Sequence, residues 1–110
     1  MINDKAETIR RLNDSFRRSF LGGKVFLTEG IRALSDEQVS AIIHQVRTFD
    51  AFSSDNDPYH EHDFGAFDEG GTRVFWKIDY FDAKMEGASP NPAAPDMTFR
   101  VMTVMLAEEW

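Results

Sequence analysis

Phe64-Gly65-Ala66-Phe67-Asp68-Glu69-Gly70-Gly71-Thr72-Arg73-Val74-Phe75-Trp76-Lys77-Ile78-Asp79-Tyr80-Phe81 carries the strongest local structural signal in this chain. Two aromatic-rich runs, Phe64 to Phe67 and Thr72 to Phe81, flank Asp68-Glu69-Gly70-Gly71. The paired glycines can adopt the positive dihedrals that a tight hairpin turn demands, so the stretch reads as a β-hairpin. Strand alternation then sends Val74, Trp76, Ile78 and Tyr80 to one face, and Arg73, Phe75, Lys77, Asp79 and Phe81 to the other. The first set is the expected core face, with Trp76 buried and the hairpin at the centre of a sheet.

Working outward, Thr98 to Leu106 reads as a further strand through its Thr and Val content, and Lys24 to Thr28 as a short strand bounded by glycines at 23 and 30. Between Glu86 and Asp96 three prolines prevent a regular helix and predict a surface loop. Two helices are expected. Asp4 followed by Glu7 has capping spacing, Ile9, Leu12, Phe16 and Phe20 recur on one helical face, and Gly22-Gly23 ends the run. Ser35-Asp36-Glu37-Gln38 opens a second helix with Val39, Ile42, Ile43, Val46 and Phe49 as its buried stripe and His44 off it. The element order gives an α+β domain spanning residues 1–110, a mostly antiparallel four-stranded sheet with two helices packed on one face.

Composition narrows the function classes. A chain of 110 residues with 42% hydrophobic content and ten phenylalanines is ample for one core. No apolar run is long enough to span a bilayer and no secretory signal opens the chain, which leads to the expectation of a soluble, cytoplasmic protein without membrane partners. With no cysteine there is no thiolate metal site and no cysteine nucleophile. The net charge of -7 is divided: residues 1–24 carry six Lys or Arg against three Asp or Glu, and residues 25–110 carry six against sixteen. An acidic body disfavours direct nucleic-acid binding and favours basic proteins or cations.

The acidity is densest between Asp50 and Asp63, where Asp50, Asp55, Asp57, Glu61 and Asp63 stand together with Tyr59, His60 and His62, and no Lys or Arg occurs from residue 48 to residue 72. Three readings compete for this segment. Asp57, Glu61, His62 and Asp63 could hold a divalent cation through hard oxygens and an imidazole, although the spacing is not that of a calcium loop. The same cation would permit a metal-dependent hydrolase or phosphodiesterase, with Lys77 steering an anionic substrate. Alternatively, Asp and Asn side chains serve turns, and His62 anchors the following strand through a neighbouring strand or Asp79. On the first helix, Arg10, Arg11, Arg17 and Arg18 surround Asp14, either as a solvated face or as a docking surface. The preferred expectation is a non-enzymatic binding or regulatory domain, without cofactor, whose surface Asp55, Asp57, Tyr59, Glu61 and Asp63, together with those arginines, meets a basic protein partner.

Asn56-Asp57-Pro58-Tyr59, Glu61-His62-Asp63-Phe64-Gly65, Phe75-Trp76-Lys77-Ile78-Asp79-Tyr80 and Arg100-Val101-Met102-Thr103 with Leu106-Ala107-Glu108 resemble a family of small bacterial proteins known as a domain of unknown function. The resemblance also takes in Phe16-Arg17-Arg18 and Phe49-Asp50-Ala51-Phe52. It implies a setting in chromosomes, plasmids and mobile elements of alphaproteobacteria, hence an accessory or host-interaction role, and it implies glycine where this chain has His60.

Overall fold

The computed structural model describes residues 4–110, and of Asp4 only the backbone, so the expected Asp4 cap lies outside the described residues. Helix α1 runs over Asp4–Ser19, strand β1 over Gly23–Leu27, the single turn α2 over Glu29–Arg32, helix α3 over Asp36–Thr48, and strands β2, β3 and β4 over Phe64–Glu69, Thr72–Phe81 and Phe99–Leu106. One-turn 3-10 helices occupy Pro95–Met97 and Ala107–Glu109. The fold is α+β.

The hairpin forms as its glycines dictate. Glu69 pairs with Thr72, leaving Gly70 and Gly71 as a two-residue loop with φ of 57° and 83°. Two positive dihedrals give the loop whose twist matches that of the strands it joins. The turn is therefore tighter than the four residues suggested by sequence, and β2 continues through Asp68 and Glu69. Helix α3 starts at Ser35, whose hydroxyl accepts the Gln38 amide at 3.1 Å. Helix α1 ends at Ser19 rather than at the glycine pair, because Gly23 already belongs to β1.

The sheet has the order β1-β4-β3-β2. β3 pairs antiparallel with both β2 and β4, but β1 pairs parallel with β4, from Gly23 opposite Arg100 to Leu27 opposite Val104. The sheet is thus mixed, which corrects the mostly antiparallel expectation, and three helices replace two. The long path through α2, α3 and the hairpin is what lets the chain re-enter alongside β1 in the same direction, since parallel neighbours need such a crossover. The hairpin also straddles the sheet rather than centring it: β3 is internal and β2 is an edge.

All three helices face the Trp76 side of the sheet. Phe16, Ile31, Ile42 and Val46 from the helices close on Phe67, Val74, Trp76, Ile78, Met102 and Val104 from the strands. Trp76 is 0% exposed, edged by Phe49 and Phe52 with ring centroids 5.6 and 6.1 Å away. Its strand partner is Gly65, which lies under the indole. The loop before β4 folds back toward α1, where Arg100 reaches the Pro92 carbonyl at 2.6 Å.

Candidate functional site

Helical geometry, at 3.6 residues per turn, puts positions 10, 13, 14 and 17 of α1 on one stripe. This stripe grips the acidic segment residue by residue. Arg10 donates to the His60 carbonyl at 3.2 Å, Asn13 donates to the Glu61 carbonyl at 2.9 Å, and Asp14 Oδ1 lies 2.9 Å from His62 Nδ1. Arg17 completes the stripe, bonded to Asp14 at 3.0 Å and to the Val46 carbonyl at 2.9 Å.

Inside the segment the short polar side chains bond their own backbone. Asn56 accepts the Ser53 amide at 2.8 Å and donates to the Ala51 carbonyl at 2.9 Å. Asp57 accepts the His62 amide at 3.0 Å, and its second oxygen is 3.5 Å from His62 Nε2. Both ring nitrogens of His62 therefore face carboxylates, and its ring stacks on Phe52 at 3.7 Å with an interplanar angle of 3°. His62 is tied to the first helix and to its own loop, not to Asp79, which pairs with Lys77 at 3.0 Å.

Beneath this layer lies a buried polar chain that sequence reading missed. Asn13, 0% exposed, donates to the Tyr80 hydroxyl at 2.8 Å and accepts from Arg100 Nε at 2.6 Å. Tyr80 donates onward to Glu61 at 2.7 Å. Burial, followed by the Glu61 bond, pushes the Tyr80 phenol well above its ordinary range, which keeps it a neutral donor. Burial lowers the Arg100 and Arg17 guanidiniums below the usual arginine value, with Asp14 opposing the effect at Arg17. Burial and then Glu61 raise the Asp63 carboxyl, with Asp57 and Asp79 adding to the same direction. The only sequence signal for Asn13 was its place in the apolar stripe, one helical turn before Phe16 and Arg17.

The residues expected to act at this surface are thus sorted into two sets. Asp55 and Tyr59 are exposed, Tyr59 by 76%. Asp57 is 3% exposed and turned inward, while Glu61 and Asp63 are half-buried, with Glu61 held by Tyr80. Arg11 and Arg18 are exposed; Arg17 is 1% exposed and belongs to the interior, and Arg10 is engaged by the loop. The arginines do not form one surface because the helix divides them between two faces. For the cation alternative, Asp57, Glu61 and His62 are already turned to other partners, and no group of three or more His, Asp or Glu side chains comes together among the described residues in a way that could hold a metal.

A shallow groove of about 470 Å³ opens where the loop meets α1, walled by Ile9, Pro58, Tyr59, His60, Glu61 and Pro92, with Lys5 and Ala6 at its end. A larger concavity of about 590 Å³ lies away from the acidic segment, between Arg18 and the last turns of α3 at His44 and Arg47.

The loop backbone is strained at two residues. His60 and His62 have φ of 60° and 55°, a left-handed conformation that costs a non-glycine residue roughly 1 to 2 kcal/mol. His62 is compensated by Asp14, Asp57 and Phe52. His60 is exposed, its amide donating to the Asp57 carbonyl at 3.2 Å and its carbonyl accepting from Arg10. His60→Gly is therefore expected to raise the unfolding free energy by about 0.5 to 1 kcal/mol in urea titrations, the gain being tempered by the greater freedom of glycine in the unfolded chain. His62→Gly should do the opposite, and a loss of stability in both variants would show that the dihedral is not the governing factor at position 60.

No helix among the described residues is long and apolar enough to cross a membrane. The family described as "Protein of unknown function (DUF3768)" matches residues 27–109, and the chain belongs to it. The matched span holds the whole acidic segment, the hairpin and β4, whereas the α1 stripe that clamps the segment precedes it. No curated protein and no solved structure matches the chain.

Proposed function

We propose that this chain is a non-enzymatic binding domain in which the braced loop from Asp50 to Asp63 presents Tyr59, flanked by acidic side chains, to a basic protein partner. The observation that carries this reading is Tyr59 itself. It is 76% exposed on a loop held at the His60 and Glu61 carbonyls and at the His62 ring by three successive bonds from α1. A large aromatic side chain held in water on a rigid support costs little further entropy when it is buried against a partner, which is the character of an interface anchor. Asp50, Asp55 and the wider acidic body supply attraction toward basic surfaces, and the groove beside Tyr59 gives an incoming side chain a place to lie.

Two finer points belong to this proposal. The setting implied by the family resemblance makes a nucleic-acid-binding host protein, such as a restriction or defence factor, an apt partner, because an acidic body can occupy a site made for phosphates. The rival activity is metal-dependent hydrolysis centred on Asp57, Glu61, His62 and Asp63, and the raised Asp63 carboxyl is the feature that would serve it as an acid.

The test is affinity capture from the native host followed by identification of the bound protein. Tyr59→Ala should weaken capture at least tenfold with the melting temperature unchanged, and Asp50→Asn with Asp55→Asn should reduce its sensitivity to salt. Full retention of capture by Tyr59→Ala defeats the anchor reading. A parallel melt with Mg²⁺, Mn²⁺, Ca²⁺ and Zn²⁺ addresses the rival, since a cation bound only by the folded state must raise the midpoint.

A further inference from the structure

Two guanidiniums lie in the interior, and only one of them has a counter-ion. Arg17 holds Asp14 at 3.0 Å, whereas Arg100, 4% exposed, has no carboxylate within ion-pair distance among the described residues. Buried charges are ordinarily paired, because taking one out of water is costly and a carboxylate at contact offsets that cost. Arg100 donates from Nε to Asn13 and from Nη2 to the Pro92 carbonyl, and its guanidinium lies over the Tyr80 ring at 5.2 Å from the centroid. Arginine carries five N–H donors, so three remain. The buried side-chain nitrogens left without a partner are Arg17 Nε and Trp76 Nε1; Arg100 Nη1, which bonds none of the described residues, is therefore open to solvent.

Arg100 lines a cavity of about 130 Å³ between the end of α1 and the approach to β4. Leu12, Phe16, Leu21 and Pro95 form its apolar walls, and Arg100 is the one charged residue among those that line it. Thr98, also at the wall, has its hydroxyl engaged by the Asn91 carbonyl at 2.9 Å and by Ser89 at 2.7 Å, so the free donors here are those of Arg100. The volume takes roughly four waters, about the bulk of a carboxylate with a short aliphatic tail. One cation among apolar walls suits one negative charge, and a phosphate dianion would bring a second with nothing to oppose it. The nearby last turn of α1 disfavours an anion, but more weakly than a charge-assisted bond favours it.

We infer that this cavity binds a small aliphatic carboxylate, whose oxygens accept from the free N–H groups of Arg100 and whose tail lies against Leu12, Phe16 and Leu21. The planar fork of a guanidinium matches the two oxygens of a carboxylate, which gives direction as well as charge. A ligand of so few atoms binds in the millimolar range. None of the lining residues belongs to the acidic segment, so the site is independent of the Tyr59 surface and its partner.

The test is an NMR titration of the full chain with sodium butyrate at constant ionic strength, read at the amides of Leu21, Gly22 and Thr98. Saturable shifts are expected, with binding about tenfold weaker for butyramide, which keeps the size and loses the charge, and no saturation by inorganic phosphate. A titration without saturable shifts, or equal binding of butyramide or phosphate, overturns the inference. Arg100→Met should abolish the response, and butyrate binding retained in that variant overturns the site. Should it fail to fold, Leu21→Asp provides a second measurement, because position 21 is 76% exposed and the new carboxylate stands at the mouth of the cavity. Loss of butyrate binding in Leu21→Asp supports the site, and unchanged binding overturns it.

Discussion

Gly65→Ala is expected to lower the unfolding free energy by about 3 kcal/mol, the upper part of the range for overpacking a filled core. A β-carbon at this position would collide with Trp76 Nε1 and stand 2.6 Å from Cε2 and 2.8 Å from Cζ2. These are atoms of a rigid ring, not the free end of a flexible chain, and the ring is enclosed by Phe49, Phe52 and the Arg17 guanidinium, which sits 5.3 Å from its centroid. Neither the strand nor the indole can yield without losing core contacts. Urea denaturation of the single and double variants separates this account from a simple backbone effect. Leucine at position 76 has no ring at the clashing positions, so Gly65→Ala should cost less than about 1 kcal/mol in a Trp76→Leu background. An equal cost in both backgrounds would place the effect in the strand itself.

Asn13→Ala should cost about 2 to 4 kcal/mol, more than a hydrogen-bonded surface asparagine ever does. The side chain is wholly buried and is the point where three elements meet: it accepts from Arg100 of β4, donates to Tyr80 of β3 and donates to the Glu61 carbonyl of the acidic loop. Truncation leaves the Arg100 Nε, on a residue only 4% exposed, without its acceptor. The buried guanidinium then keeps the Pro92 carbonyl and the face of the Tyr80 ring as contacts, and a buried donor on a charged group that loses its acceptor is costly. Arg100→Met in the same chain should recover much of the stability, because it removes the orphan charge while keeping the volume of the stem. A loss under about 0.5 kcal/mol for Asn13→Ala would mean that the loop and Arg100 find other partners.

Both expectations concern residues whose importance is spatial. In sequence Gly65 is one glycine among seven and Asn13 one polar residue within an amphipathic helix. The acidic segment was conspicuous, and its turn chemistry at Asn56 and Asp57 follows from the readiness of short polar side chains to bond nearby amides. Its division into exposed Asp55 and Tyr59 and inward Asp57 and Glu61 was not legible, because that depends on which side of the loop α1 approaches. The arginines show the same limit. Charge alone grouped Arg10, Arg11, Arg17 and Arg18 together, yet Arg17 is interior, where Asp14 and the carbonyls at the end of α3 bond its two terminal nitrogens while its Nε is buried without a hydrogen-bond partner.

What the sequence by itself determined is local: the hairpin with its Gly70-Gly71 loop, the Ser35 cap, the alternation that buries Val74, Trp76 and Ile78, and the strand after the proline-rich loop. Each rests on interactions within a few residues or on a periodicity that one segment carries alone. The tertiary structure decided the rest: the parallel pairing of β1 with β4, the edge position of β2, and the clamp of α1 on the loop at His60, Glu61 and His62. Those features join residues about 50 to 90 positions apart, as Arg100 to Asn13 does across 87. A backbone strand offers the same donors and acceptors to any neighbour, and a buried charge accepts any well-placed oxygen. Partner choice is therefore settled by how the whole chain packs, and no single segment can encode it.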